Sequence, residues 1–390
     1  MVGDTATDNL AYGRNVQSPR RAKVYFMLSM HTMEINDIKS PQAKSQYLAF
    51  LYSLYLGNPN FKDVQVHIAH SFLRGGDCFI RACHIRPILV TRQKSPIAQC
   101  MFVSHPDFAA LQVAFLECRE DSTDALDFIL QEARKEAQQR NLKRIVVGLN
   151  GHVSYGVGFL ANQFDKAISF DSLYTAPWLV QHLDQLPYLQ AHGLSTWSIP
   201  MDKVRAQAPM LQRKAEGFSV RTMNMRHFKK EMLLLGELSN QCLGETPWYF
   251  PKPPMAMYEI LKEIRWFLKP EHLLFAMKDG REVGFHFWHP DFNEVLPGGK
   301  RTSLLGIAMR CWCYAHRIKT FKLNALGLLP EVRNSNILPI LLNETYRYTG
   351  QRFLSGETNF VWDSNQQSRL LNHNKMQTRQ RIYRAYEMFL

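Results

Sequence analysis

The sequence predicts an α/β protein built from two successive domains, and three features of it lead there. The chain has 390 residues, 46% of them hydrophobic, which is enough apolar surface for a large core and fits two domains more comfortably than one. Residues 112–148 read as strand, amphipathic helix and buried strand, half of an α/β layer. After a basic connector at 200–217 the same order of elements begins again, as a pattern rather than as a repeated sequence.

Residues 1–44 are polar and lack apolar periodicity, so they read as an N-terminal arm. Arg20 and Arg21 lie there with no apolar stretch and small-residue cleavage site after them, which argues against a secretory leader. Residues 45–56 form an apolar-rich helix that stops at the turn signal Gly57-Asn58-Pro59-Asn60. Runs of Val, Ile, Leu and Phe at 86–91, 98–103 and 112–117 are strands, separated by breaks at Lys94-Ser95-Pro96 and His105-Pro106-Asp107. Asp121 or Ser122 can then cap a helix whose apolar residues Leu126, Ile129, Leu130, Ala133 and Ala137 share one face. Residues 144–148 are a buried strand that leads into a glycine-rich stretch at 148–158.

The connector carries Pro200 and Pro209 and little apolar periodicity, which divides the chain into an arm (1–44), a first domain (45–200), a linker (201–216) and a second domain (217–390). In the second, 220–223 is a strand and 226–241 a helix, and Pro253-Pro254 opens another helix reaching Leu268. Strands at 273–277 and 282–288 flank Asp279-Gly280, a strong hairpin signal. A strand at 321–329, a helix at 337–348, a strand at 353–362, a helix at 366–372 and a closing strand through Tyr383 and Tyr386 complete the pattern.

Forty-seven Lys and Arg against 34 Asp and Glu give a net charge of +13, which favours an anionic partner: a nucleotide-bearing cofactor, an acidic carrier protein, RNA or anionic lipid. The basic residues are dispersed, so nucleic-acid binding is the minority reading. No apolar run is long enough to span a bilayer. Cys78, Cys83, Cys100, Cys118, Cys242, Cys311 and Cys313 are scattered and odd in number, which points to core thiols in a reducing cytosol rather than to a disulfide framework or a metal site.

Four stretches of the second half carry a family resemblance. They are 267–285, with Lys278-Asp279-Gly280-Arg281 at its centre; Leu326-Gly327-Leu328-Leu329-Pro330-Glu331-Val332-Arg333-Asn334-Ser335-Asn336-Ile337; residues 357–365; and residues 381–387. In the first half, Phe115-Leu116-Glu117-Cys118, the helix after it, and 148–159 match in the same way. Through them the chain resembles the GCN5-related N-acyltransferase (GNAT) superfamily, and within it a bacterial group with two such domains in tandem. The resemblance implies two mixed, mostly antiparallel sheets flanked by helices, and transfer of an acyl group from an acyl-CoA thioester to an amine.

It also implies where that chemistry sits. In the superfamily a strand, a glycine-containing loop and a helix N-terminus seat the coenzyme pyrophosphate. The aligned residues here are Leu328, Leu329, Arg333, Asn334, Ser335, Asn336 and Ile337, with both motif glycines replaced. Asn is the residue best able to replace glycine in a left-handed conformation, although its side chain obstructs close approach of a phosphate. Asn365, in Asp363-Ser364-Asn365, corresponds to a position that contacts the pantetheine arm, or else caps a helix. The lost glycines make an acyl carrier protein a credible donor; an aminoacyl-tRNA donor, and a non-catalytic binding module, stay open too.

The first-domain junction, Glu117 to Asp124, gathers carboxylates that suit a helix N-terminus and would repel a pyrophosphate. That domain reads as structural or as a wall of the acceptor pocket.

Glu357, a carboxylate on an otherwise apolar strand, is the first candidate base, against a paired structural role. His286 and His289 lie close to where an acceptor would approach, each otherwise a half-buried strand residue. Tyr383 and Tyr386 can protonate a departing thiolate or pack in the core. Residues 303–317 combine Leu304, Leu305, Ile307, Ala308, Trp312 and Tyr314 with Arg310, His316 and Arg317. They suit core packing, an acyl-chain channel or peripheral contact with the inner membrane face. A long-chain donor and a lipidic amine are among the substrates left open.

Overall fold

The computed structural model describes residues 32–211, 217–365 and 378–390 of the chain. In the first half the elements are β1 (Met33–Asp37), helices α1 (Pro41–Tyr55), α2 (Val64–Arg74) and α3 (Cys78–Ala82), strands β2 (His84–Arg92), β3 (Ser95–His105) and β4 (Phe108–Cys118), α4 (Asp124–Gln139), β5 (Arg144–Val147), β6 (Phe159–Leu160), α5 (Pro177–Leu183), β7 (Gln190–Pro200) and α6 (Met201–Leu211). The second half continues with β8 (Phe218–Thr222), α7 (Phe228–Cys242), α8 (Pro254–Leu261), β9 (Leu273–Lys278), β10 (Arg281–Pro290), α9 (Leu304–Cys313), β11 (Thr320–Leu328), α10 (Ile337–Thr349), β12 (Ser355–Thr358), β13 (Val361–Trp362) and β14 (Thr378–Phe389).

Local chemistry explains many of these boundaries. Ser40 caps α1 by accepting from the Ala43 amide, with Pro41 in the first turn, and Gly75 closes α2 in a left-handed conformation. Asp279 and Gly280 both have positive φ, 50° and 78°, as a two-residue turn between β9 and β10 requires. The apolar face of α4 is buried as its spacing predicts. Its cap is not: Asp121 and Ser122 form a preceding 3-10 turn, Ser122 Oγ donates to Asp121, and neither caps the helix.

Three further expectations change. The connector is not helix-poor, because its run of Lys, Arg, Ala, Gln, Met and Leu has high helix propensity and forms α6 directly after β7. The strand expected at 353–362 is two short ones, because Asn359 and Phe360 step out between β12 and β13. Cys311 is buried but Cys313, two residues on and on another face of α9, is exposed. The helix expected at 366–372 lies outside the described residues.

All strands join one sheet, in the order β1-β2-β3-β4-β5-β14-β7-β12-β11-β10-β9-β8, with β6 on β14 and β13 on β7. Pairing is antiparallel except for β4 with β5 and β11 with β12. The order is close to a palindrome about a central pair, β14 and β7. β7, the last strand of the first half, lies beside β12 of the second, and β14, the last strand of the chain, lies beside β5 of the first. The closing strand, expected within a second domain of 217–390, therefore completes the sheet of the first half. Its partners make that placement specific: Tyr383 and Tyr386 are buried in the first-half core, and Glu387 accepts from Arg144 and pairs with His192.

Without β14, β5 and β7 present bare edges in the middle of the sheet. A chain ended after Asn365 should lose cooperative thermal unfolding. A single transition at the full-length temperature would contradict the central role of β14.

Candidate active site

The parallel pairing of β11 with β12 runs from Thr320↔Ser355 to Leu323↔Thr358 and then stops. β11 continues to Leu328 along β10, while the other chain leaves at Asn359, so the sheet splits in a wedge. Asn359 holds its apex: its amide donates to Leu323 O and its Nδ2 to Asn324 O, each at 2.8 Å. A β-bulge lies at the same point. Phe287 pairs with Ala325 and Trp288 with Leu323, so Asn324 has no cross-strand partner.

The first half has the same split between β4 and β5, and fills it. Phe115, at φ 50°, donates its amide to Asn150 Oδ1, and the Phe159 ring lies so close to Gly148 that a Cβ there would meet it at 2.6 Å. About 30 Å³ remains. In the second half the wedge leads into a cavity of about 830 Å³ that reaches across both halves of the chain. The first half supplies its wall from α2, residues 153–157 and the loop 168–173. The second supplies Leu235 and Ser239 of α7, Met257 and Ile260 of α8, Phe285 to Phe287, Leu323 to Leu326, Leu338 and Leu342 of α10, and Thr358 to Trp362.

Among the polar residues lining this cavity are Asp171 and Ser172 of the first-half loop and Asn324 of β11, backed by His289, Lys322 and Asp291, which lie outside the lining. Asp171 has a positive φ of 65°, uncommon for any residue but Gly, in a loop otherwise dominated by buried residues. Its Oδ2 receives Asn324 Nδ2 at 2.7 Å and lies 3.1 Å from His289 Nε2. The other nitrogen of that ring, Nδ1, is 2.9 Å from Pro290 O, so both ring nitrogens face oxygen atoms. Beside it, Lys322 is wholly buried, donates to Ser172 Oγ, and has its amine pushed down by burial despite the nearby carboxylates. Asp291 accepts the Phe170 amide at 2.7 Å, and burial raises its carboxyl to about 6.

His286 lines the cavity from the other face of β10. Its Nδ1 is 2.8 Å from Thr345 Oγ1, and the Thr345 hydroxyl already donates to Leu341 O. Nδ1 must therefore carry the hydrogen, which leaves Nε2 as an acceptor, buried and unpartnered among the described residues. Burial pulls the imidazole down to about 4, so it is neutral at pH 7.

The other residues singled out by sequence fall in several places. Glu357 does not line the cavity. It is buried on β12 opposite Lys322, with its Oε2 3.1 Å from Arg381 Nη1, so the carboxylate is held there by an ion pair. Tyr383 is fully buried on β14 behind Phe360, and Tyr386 donates to Asp184. Asn365 lies at the cavity rim.

The loop of Arg333, Asn334, Ser335, Asn336 and Ile337 follows the buried Leu328 and Leu329. The Arg333 guanidinium is bound by Glu245, Cys242 O and Leu328 O. Neither Asn has positive φ. The amides of Val332, Arg333 and Ser335 bond within the loop, that of Ile337 faces Ser335 Oγ at 3.4 Å, and Pro339 in the first turn of α10 has no N–H. Few donors therefore remain for a pyrophosphate.

Asp171, Ser172, Lys322 and Asn324 were missed. Lys322 had the same signal as Glu357, a charge inside an apolar strand; Asp171 and Ser172 had none, because only the fold brings their loop to β11. Of the carboxylates at the first-half junction, Asp124 pairs with Arg92, while Glu117 is buried, accepts from Tyr55 at 2.6 Å, and is raised to about 8 by burial.

No family model matches the sequence, and no curated protein is similar to it in sequence. Solved structures are similar in fold. A tandem GNAT protein from the clavulanic acid biosynthesis pathway aligns over 92% of this chain and 98% of its own, at TM-score 0.55 and 10% identity. A GCN5-related glucosamine N-acetyltransferase region of a fungal multi-domain GH3 β-N-acetylglucosaminidase aligns over 92% of this chain and 38% of that one, at TM-score 0.53 and 10% identity. An Enterococcus faecalis protein described as a probable N-acyltransferase aligns over 92% and 73%, at TM-score 0.53 and 7% identity. The chain has a tandem GNAT fold.

Two measurements test the electrostatics. Replacing Glu357 by Gln strands a buried guanidinium and should cost about 3–5 kcal/mol in urea unfolding, with E357Q/R381M recovering much of it; an unchanged midpoint for the single variant would show that the pair carries no strain when broken. Glu117 stays protonated in the fold to about pH 8 while the unfolded chain ionises above about 4.3, so its contribution to stability is full at low pH and is lost as pH rises through that window. Glu117→Gln should match wild type near pH 4 and exceed it progressively towards pH 8. Parallel stability curves would contradict this.

Proposed function

We propose that the cavity at the β11–β12 wedge is an acyl-transfer site, in which an amine attacks a pantetheine-linked thioester. The open wedge carries this reading: in a tandem GNAT fold whose first wedge is filled, the second admits a ligand of this size. The pantetheine arm lies along the edge of β11 at residues 325–329, where strand pairing with β12 has ceased, and its acyl group points towards α7 and α8. Confinement of both reactants between the halves supplies the proximity the reaction needs.

Asp171 takes the proton from the attacking nitrogen, with His289 and Asn324 fixing Oδ2 and holding the carboxylate in place. As the amine nitrogen bonds to the thioester carbon, the carbonyl becomes an oxyanion; its collapse breaks the carbon–sulfur bond and releases the thiol, which regains a proton from solvent. His286 Nε2 accepts a hydrogen from an N–H of the bound arm or amine. Glu357 and Tyr383 act through structure, since neither reaches the cavity.

The bound state of Arg333 and the few free amides around it support a donor whose grip does not depend on a pyrophosphate, such as the phosphopantetheine of an acyl carrier protein. The discriminating assay follows thiol release from acetyl- and palmitoyl-CoA, from the corresponding acyl-pantetheines and from an acyl carrier protein, against a panel of amines. Asp171→Asn should lower kcat about 100-fold with KM for the thioester little changed. His286→Leu should act mainly on KM. Absence of amine-dependent thiol release with every donor, or full activity of Asp171→Asn, would contradict the proposal.

A further inference from the structure

α9 is apolar on two opposite faces. Ile307 and Cys311 are buried in a cluster with Trp288, Phe292 and Phe321 of the second half and Phe170 of the first, while Leu305, Met309 and Trp312, at spacings of four and three, point the other way and are 71%, 57% and 83% exposed. A solvated helix would present polar residues there. Next to it, in the turn 262–267, Trp266 is 84% exposed, and both this turn and Ile307 and Ala308 of α9 line the cavity. The apolar outer surface is therefore continuous with the mouth of the cavity.

The charges around this surface are predominantly basic. Residues 299–319 contain Lys300, Arg301, Arg310, Arg317 and Lys319 and no Asp or Glu, and an exposed carboxylate packed against them, Glu294, accepts from the Lys319 amide at 2.7 Å. Arg265 stacks beside Trp266 and Arg317 over Tyr314, and the nearby Glu263 is answered by Arg74. Protruding Trp, Leu and Met side chains on a basic stretch of chain fit the boundary of an anionic bilayer, where the apolar tips enter the acyl region and the cations meet headgroups. A protein partner would need a concave seat matched to four separate protruding side chains; a bilayer needs none.

We propose that α9 and the turn 262–267 dock the protein on an anionic lipid surface, with the cavity mouth facing the membrane so that an apolar chain passes between bilayer and cavity without crossing water. This goes beyond the acyl-transfer reading and does not depend on it, since docking is measured without substrate. Among the described residues no helix is long and apolar enough to cross a membrane, so the contact is peripheral.

The test is flotation of the full chain with vesicles of phosphatidylglycerol and phosphatidylcholine, and with vesicles of phosphatidylcholine alone. Wild type should float with the anionic vesicles and much less with the neutral ones. W266S/W312S should bind the anionic vesicles roughly tenfold more weakly at an unchanged melting temperature, because both side chains are exposed, and R310E/R317E should lose the preference for anionic lipid. Equal binding by wild type and W266S/W312S would overturn the proposal. So would failure of wild type to float, or a dimer in solution that the double Trp substitution dissociates.

Discussion

The exchange of closing strands at the centre of the sheet is the constraint on which the site depends. β7 and β14 each finish the sheet of the other half, so the two halves share a continuous backbone ladder. β14 also fixes the loop that follows β6. Ala161 donates to Ile382 O, Ile382 donates to Asn162 Oδ1, and Arg381 donates to Ala167 O. Through those bonds a loop of the first half is carried over the wedge of the second, and Asp171 and Ser172 reach β11.

The same exchange creates the buried charges. Arg381 comes from β14, Glu357 from β12 and Lys322 from β11, so three strands of the second half each bury one ionisable side chain at the junction. Burial of that kind is a poor source of stability, since a hydrophobic replacement of similar volume is often as good, but leaving one member alone is strongly unfavourable. The cluster therefore favours the order β14-β7-β12-β11, in which Arg381 reaches Glu357 across β7, and that arrangement contains the wedge.

Much of the fold was legible because local signals and tertiary structure agree. The Asp279-Gly280 turn, the apolar face of α4 and the Gly75 stop each need only neighbours in sequence. The strand exchange was not legible, because nothing in β14 itself marks its partners, which lie about half the chain away. Likewise Glu357 could be singled out as a misplaced charge, but whether it met a substrate or Arg381 depended on the order of strands distant in sequence. His286 was found as a histidine near the acceptor; that its free nitrogen is an acceptor follows only from Thr345 and Leu341. Replacing the motif glycines by Asn suggested left-handed residues, but the loop avoids positive φ by winding into 3-10 turns.

In the proposed reaction donor and acceptor meet in the cavity between the halves, at the β11–β12 wedge. Photocrosslinking of the intact protein with a non-hydrolysable acyl-pantetheine thioether carrying a diazirine near its sulfur, followed by peptide mapping, tests it directly. The expected labels fall on residues 323–326 and 358–362 of the second half and on the loop 168–173 of the first, competed by the unlabelled thioether. Labelling confined to other surfaces, or labelling that the thioether does not compete, would contradict it.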